Sequence, residues 1–261
     1  MSVSIHPTAI VDPAARLGEG VRIGPFSLIG PEVTLGARTE VKSHVVVTGW
    51  TEVGPDCVIF PHATVGEIPQ DLKFAGERTR LIIGARNRIR EGATLNLGTE
   101  GGGGVTTVGD DNLFMAGSHV GHDSVVGSRV VVANCAAIAG HCQIGDDVII
   151  GGLSGIHQWV RIGKGAIIGA VTMVTNDVIP YGLVQGPRGE LDGLNLVGLK
   201  RRGMDRAEIH SLRAAYDTLA HGEGTFLDRV RQLAASNPGP QVQEMTDFIL
   251  GHSDRSFLTP K

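Results

Sequence analysis

Aromatic side chains are scarce in this 261-residue chain, which has seven phenylalanines, two tyrosines and two tryptophans. A globular α/β enzyme of this size normally builds its core around more rings, so small aliphatic side chains must fill the interior here. Cysteine is scarcer still. Cys57, Cys135 and Cys142 cannot all pair within one chain and none stands in a CxxC spacing, which argues against a disulfide scaffold or a cysteine-based zinc site and leaves them as expected buried thiols. No apolar run approaches the roughly 20 residues needed to span a bilayer, and residues 1–10 lack the basic start and apolar stretch of a secretory leader. A cytoplasmic protein without membrane insertion is expected. Positive charge is not in excess either, with 23 Lys and Arg against 27 Asp and Glu, so nucleic acid is not an expected partner.

Glycine, in contrast, is abundant: 38 residues spread through aliphatic sequence rather than gathered in a linker. Every sixth residue from Ile5 is aliphatic: Ile5, Val11, Leu17, Ile23, Ile29, Leu35, Val41, Val47, Val53, Ile59 and Val65. Glycine follows the column residue at positions 18, 24, 30, 36, 54 and 66, where a corner needs positive φ or close backbone approach. The column resumes at Ile83, Ile89 and Leu95 and shifts by one residue at Val108, from which it runs to Val174. A six-residue period fits neither an α-helix nor a simple alternating strand; it is the mark of a parallel β-helix, whose stacked turns bury one continuous core. Three hexapeptides make one triangular coil of 18 residues, and successive coils stack about 4.8 Å apart.

Two stretches interrupt the column, near 67–80 and near 96–107, the second containing the run Gly101 to Gly104. These are expected to be protruding loops, and the glycine run a mobile lid rather than a phosphate loop, because no GxxxxGK[ST] strand–loop–helix surrounds it. After Pro180 the pattern becomes helical. Asp205 and Glu208 form a capping box before Ile209, Leu212, Tyr216 and Leu219; a second helix starts near Thr225, and a third contains Met245 and Phe248. The expected organisation is mainly β, a β-helix over 1–186 followed by a C-terminal α-helical domain over 187–261 that caps the coil or covers a subunit seam.

The histidines fall into two groups. His44 and His62 lie 18 residues apart at equivalent corners of successive coils and are expected to be structural. His119, His122, His141 and His157 follow the two loops, and the spacing places His122, His141 and His157 together along one edge. Such a cluster can serve as a general base, hold zinc with an open fourth position, or hydrogen-bond along the edge without chemistry. Asp123 is a candidate orienter of His122, although strand neighbours point to opposite faces. Gly140 is either a backbone N–H donor to an oxyanion or a turn glycine.

Particular segments resemble a known family. The first loop, Ile68-Pro69-Gln70-Asp71-Leu72-Lys73-Phe74-Ala75-Gly76-Glu77, with His119-Val120-Gly121-His122-Asp123, Ile156-His157-Gln158 and Gly193-Leu194-Asn195 through Gly198-Leu199-Lys200-Arg201-Arg202-Gly203, resembles the UDP-N-acetylglucosamine O-acyltransferases. These are hexapeptide-repeat acyltransferases that begin lipid A synthesis, and the likeness spans nearly the whole chain. The resemblance implies a left-handed coil and a homotrimer with active sites between subunits. It also implies transfer of a 3-hydroxyacyl group from acyl carrier protein to the 3-position of UDP-N-acetylglucosamine, with no bound cofactor beyond the donor's phosphopantetheine arm. By motif, His122 is implied as general base and Gly140 as oxyanion donor. Gln70, Asp71, Lys73, His119 and His141 are implied around the sugar and its phosphates. His157, Gln158, Asn195, Arg201 and Arg202 are implied along the nucleotide or the pantetheine arm. Lys200, Arg201, Arg202 and Arg206 form a basic patch suited to an acidic carrier protein.

The chain departs from known members in two segments. Asn96-Leu97-Gly98-Thr99 stands where those members read His-Arg-Gly-Thr, so a 3-amino sugar nucleotide is an alternative acceptor with Asn96 beside it. Ala170 stands where longer-chain relatives have glycine, which implies an acyl-chain ruler set somewhat shorter. The competing readings are an N-acyltransferase acting later in the same pathway, a zinc hydratase of the γ-carbonic anhydrase type, and a non-catalytic scaffold.

Overall fold

The computed structural model describes residues 2–253 and 255–260. Up to Met173–Val174 the strands pair in parallel, each with the third one on, giving three sheets that form the faces of a triangular coil. The register is the sequence period: Ile5 pairs with Ile23, Ile23 with Val41 and Val41 with Ile59, eighteen residues apart each time. The loops lengthen single coils without disturbing the stack, since Ile59 pairs with Ile89 and Ile89 with Phe114. The aliphatic column points inward and is buried from Ile23 to Val174, whereas Ile5 is exposed because the first coil has no neighbour beneath it.

The corner glycines are explained by close approach more than by backbone sign. At Gly36 an added Cβ would lie 2.5 Å from the Gly54 carbonyl carbon, and among the six glycines that follow the column only Gly66 has positive φ. The left-handed corners fall two residues later, on side chains including Phe26, Arg38, His44, Asp56, Asp123 and His141. One corner carries an Arg–Asp ladder, Arg38 to Asp56, Arg86 to Asp111 and Arg129 to Asp147, which is solvent-exposed and sets register more than stability. A second corner stacks Phe26, His44 and His62, ring centroids 5.1 and 5.2 Å apart. Both loops leave from the third corner.

Strands lengthen to four residues at the foot of those loops, where Trp50–Val53, Arg80–Ile83 and Val105–Val108 pair side by side. The glycine run does not form the free lid expected from sequence. Gly104 N–H donates to the Thr99 carbonyl at 2.8 Å, residues Glu100–Gly102 form a 3-10 turn, and Thr99 is tied to Asp123.

The expected boundary at 186 cuts through a hairpin, because Gly182–Gln185 pairs antiparallel with Glu190–Leu194. Helices begin after it: α1 Leu196–Arg201, α2 Arg206–His221, α3 Phe226–Ala235 and α4 Pro240–Leu250. The Asp205/Glu208 capping box is present, and Thr225 caps α3 in the same way. The tail then returns across the last coil. Asp177 accepts from Arg161 Nε at 2.7 Å and from its backbone N–H at 2.8 Å, and its own backbone bridges to Phe257, donating to the Ser256 carbonyl and accepting from the Leu258 N–H. The Arg161 guanidinium also lies 4.7 Å from the Phe248 ring, so a buried charge sits between its carboxylate partner and an aromatic face. Cys57 and Cys142 are buried, and burial pushes the Cys142 thiol up to about 12; Cys135, expected inside, is exposed on a corner. No helix among the described residues is long and apolar enough to cross a membrane.

Candidate active site

The corner that launches both loops also carries the column Asp123, His141 and Trp159, one residue per coil. Left-handed backbone at Asp123, φ 59°, turns the chain so sharply that two sequence neighbours face each other. His122 Nδ1 and Asp123 Oδ2 lie 2.8 Å apart, both side chains buried. The alternation of an extended strand, which argued against this pairing, does not apply at a corner.

Hydrogen bonding decides the tautomer. Asp123 Oδ1 accepts from the Thr99 N–H at 2.8 Å and Oδ2 from Thr99 Oγ1 at 2.6 Å, so the carboxylate is an acceptor throughout. His122 Nδ1 therefore carries the hydrogen, and Nε2 presents its lone pair. Asp123 Oδ2 also lies 3.8 Å from His141 Nδ1, and the His141 ring meets the His122 ring edge-on at 4.9 Å. His122, Asp123 and His141 could bring three ligand atoms within 4.8 Å of one another. With both Asp123 oxygens bonded to Thr99 and Oδ2 facing His122 as well, however, the group is built as a hydrogen-bonded relay.

Gly140 abuts the free nitrogen: a Cβ there would lie 2.5 Å from His122 Cε1 and 2.6 Å from Nε2. Its N–H occupies the register position outside the ladder, where proline stands at Pro7, Pro13, Pro25, Pro31, Pro55 and Pro61. Elsewhere a side chain one coil on caps this donor, as Asp110 does for Ala85, Ser128 for Asp110 and Asp146 for Ser128. Above Gly140 stands Gln158, and among the described residues the Gly140 N–H has no acceptor. An open donor thus sits beside an open base.

The remaining residues divide by place. His119 faces outward from its strand with Nδ1 2.7 Å from Thr94 Oγ1, and burial, with His122 nearby, lowers its pKa. Burial also lowers that of His141, against the pull of Asp123. Asp71 and Lys73 line a cleft of about 320 Å³ with Phe74, Glu77, Thr99, Glu100, His141 and Trp159, a volume at the lower end for small-molecule sites. The two loops meet there, the Glu100 N–H donating to Glu77 Oε1 at 3.4 Å, while Gln70 is exposed on the first loop. Asn96 is buried beneath the first loop, its Nδ2 donating to the Glu67 and Ile68 carbonyls, and its Oδ1 has no partner.

His157 does not join the other imidazoles as its spacing suggested; it is exposed with Nδ1 2.8 Å from Arg255 Nη2 of the tail, and Gln158 lies beside it. Asn195 is buried as the N-cap of α1, accepting from the Gly198 N–H and donating to the Gly165 carbonyl. Arg201 and Arg202 are exposed at the end of α1, and Ala170 is exposed on another corner. Within one chain none of these lines the cleft. Sequence reasoning missed Trp159 and Thr99. The first was accessible, standing 18 residues after His141 and 36 after Asp123; the second depends on a loop path that no periodicity encodes.

A model of the second domain of the UDP-N-acetylglucosamine O-acyltransferases matches residues 177–258, and one of the bacterial transferase hexapeptide matches 14–49 and 106–140. The acyl-(acyl-carrier-protein)–UDP-N-acetylglucosamine O-acyltransferase of Paracoccus denitrificans is 70% identical over 204 residues, covering 78% of this chain and 77% of that protein. That of Rhizobium johnstonii is 46% identical over 99% of this chain and 96% of its own length. The chain belongs to the UDP-N-acetylglucosamine O-acyltransferase family. The solved LpxA structure from Acinetobacter baumannii superposes with a TM-score of 0.94 at 40% identity, covering 97% of this chain and 99% of that one. The UDP-N-acetylglucosamine acyltransferase from Campylobacter jejuni gives 0.93 at 33% identity, covering 99% and 100%. With these members the chain shares the left-handed parallel β-helix and the helical C-terminus.

Proposed function

We propose that this chain transfers a 3-hydroxyacyl group from acyl carrier protein to the 3-hydroxyl of UDP-N-acetylglucosamine, the first step of lipid A synthesis, with His122 as general base. The observation that carries this reading is the pairing of a buried His122–Asp123 dyad with the open Gly140 N–H on the corner where both loops converge. His122 Nε2 takes the proton of the acceptor hydroxyl as that oxygen attacks the thioester carbonyl. The carbonyl oxygen becomes an oxyanion received by the Gly140 N–H. The C–S bond then breaks, and the leaving pantetheine thiolate takes the proton from His122. No covalent enzyme intermediate and no metal enters the sequence.

Asp71, Lys73, His119 and His141 hold the sugar and its phosphates in this reading, with Gln70 on the first loop, and the ammonium of Lys73 suits a diphosphate. His157, Gln158, Asn195, Arg201 and Arg202 serve the nucleotide and the pantetheine arm. All five lie outside the cleft of their own chain, which supports a homotrimer whose neighbouring copy completes the site. Lys200, Arg201, Arg202 and Arg206 offer the carrier protein a basic face.

Incubating the protein with UDP-N-acetylglucosamine and a panel of 3-hydroxyacyl carrier-protein thioesters, and identifying the product by mass, tests the reading. A sugar nucleotide acylated at oxygen is expected; acylation of the 3-amino analogue alone would replace the acceptor, and no transfer to either sugar would refute the function.

A further inference from the structure

Trp159 belongs to none of the roles described above. Its indole lies flat on the His141 imidazole, centroids 3.9 Å apart and planes within 5°, while the His122 ring stands at 90° to that imidazole with centroids 4.9 Å apart. Both partners sit on left-handed corners, φ 67° and 61°, so the backbone that presents them is fixed at two points. Trp159 is nevertheless 44% exposed, and its free surface lines the cleft with Asp71, Lys73 and Phe74.

We infer that Trp159 is a positioning residue for acceptor binding, which clamps the His141 imidazole in one plane so that its polar edge meets the sugar nucleotide. This rests on the reading of the cleft as the acceptor site. An imidazole on a single exposed corner turns freely about its Cβ–Cγ bond. Here an indole stacks on the imidazole and the His122 ring stands perpendicular against it, so the ring nitrogens keep fixed directions and the acceptor meets a preformed partner. A planar ring is required; an aliphatic side chain of similar bulk fills space without fixing a plane.

Two measurements separate this role from simple packing. The first is a double-mutant cycle on the affinity and KM for UDP-N-acetylglucosamine. Trp159→Ala and Trp159→Leu are expected to weaken both by roughly tenfold with kcat changed far less, Trp159→Phe to stay near the parent, and Trp159→Ala to add nothing in a His141→Ala background. Additive losses, or rescue by Leu equal to that by Phe, would overturn the assignment. The second does not need turnover. With Trp50→Phe, Trp159 is the sole tryptophan, and its emission is expected to dim as His141 protonates in contact with it, a response abolished by His141→Gln. The charged and titratable groups facing His141 are His122, Asp123, Asp71 and Lys73. An unchanged titration in His141→Gln would show that the stack does not couple the two rings. Absence of acyl transfer with the stack titration intact would instead refute the proposed function alone.

Discussion

Asp123 Oδ2 accepts from Thr99 Oγ1 at 2.6 Å and faces His122 Nδ1 at 2.8 Å, so a single carboxylate joins the second loop to the base. In the proposed mechanism the loop is thereby tied to the group that takes the proton. Asp123→Asn replaces that acceptor with an amide and allows the other His122 tautomer, which turns Nε2 into a donor. A fall in kcat of roughly 10²-fold or more is expected, with unchanged circular dichroism and little change in KM. Retained kcat would remove Asp123 from the mechanism.

Gly140 is tested by the smallest possible addition. An alanine Cβ would press into the His122 ring at 2.5 Å, displacing that ring from the Gly140 N–H, the proposed oxyanion donor. Gly140→Ala is expected to lose at least about 10²-fold in kcat while melting close to the parent, since the aliphatic column inside the coil is left untouched. Loss of folding would show that the glycine is chiefly architectural.

Acid sensitivity follows from the buried imidazoles. Burial holds His119 and His141 below the ordinary value of about 6.5, so the unfolded chain takes up protons first as pH falls. Their contribution is complete above that value and is lost on descending through the depressed folded-state values. Thermal melts from pH 7.5 to 5.5 should therefore show falling Tm, with a shallower slope in His119→Gln. A Tm that rises toward pH 5.5 would contradict this.

Chain length is tested at Ala170, exposed on a corner, where the resemblance implies a ruler. Ala170→Gly removes one methyl, worth about 1–3 kcal/mol of discrimination, and is expected to shift donor preference toward longer 3-hydroxyacyl thioesters. Competition between thioesters of graded length measures it, and an unchanged ratio excludes Ala170 as the ruler.

The coil was legible in sequence because a hexapeptide column is a one-dimensional code: eighteen residues in the chain are one rung in space, as the pairs Ile23–Val41 and Phe114–Val132 show. The helix caps at Asp205 and Thr225 were legible for the same local reason. The site was readable only in part. Counting rungs brought His122 and His141 together, but it also placed His157 with them, and Arg255 from the far end of the chain holds that ring instead. Counting could not show that positive φ at Asp123 folds its carboxylate back onto His122, or that a glycine-rich loop would be pinned through Thr99. Asn195, recognised by motif, caps a helix of its own chain away from the cleft.

The most direct test of the account is steady-state turnover of UDP-N-acetylglucosamine and 3-hydroxyacyl carrier protein by the parent and His122→Ala, each after exhaustive chelation. The account predicts a parent unaffected by the chelator and a folded His122→Ala reduced by roughly 10²–10⁴-fold. A His122→Ala variant turning over at the parent's rate, or a parent silenced by chelation and restored by zinc, would contradict it.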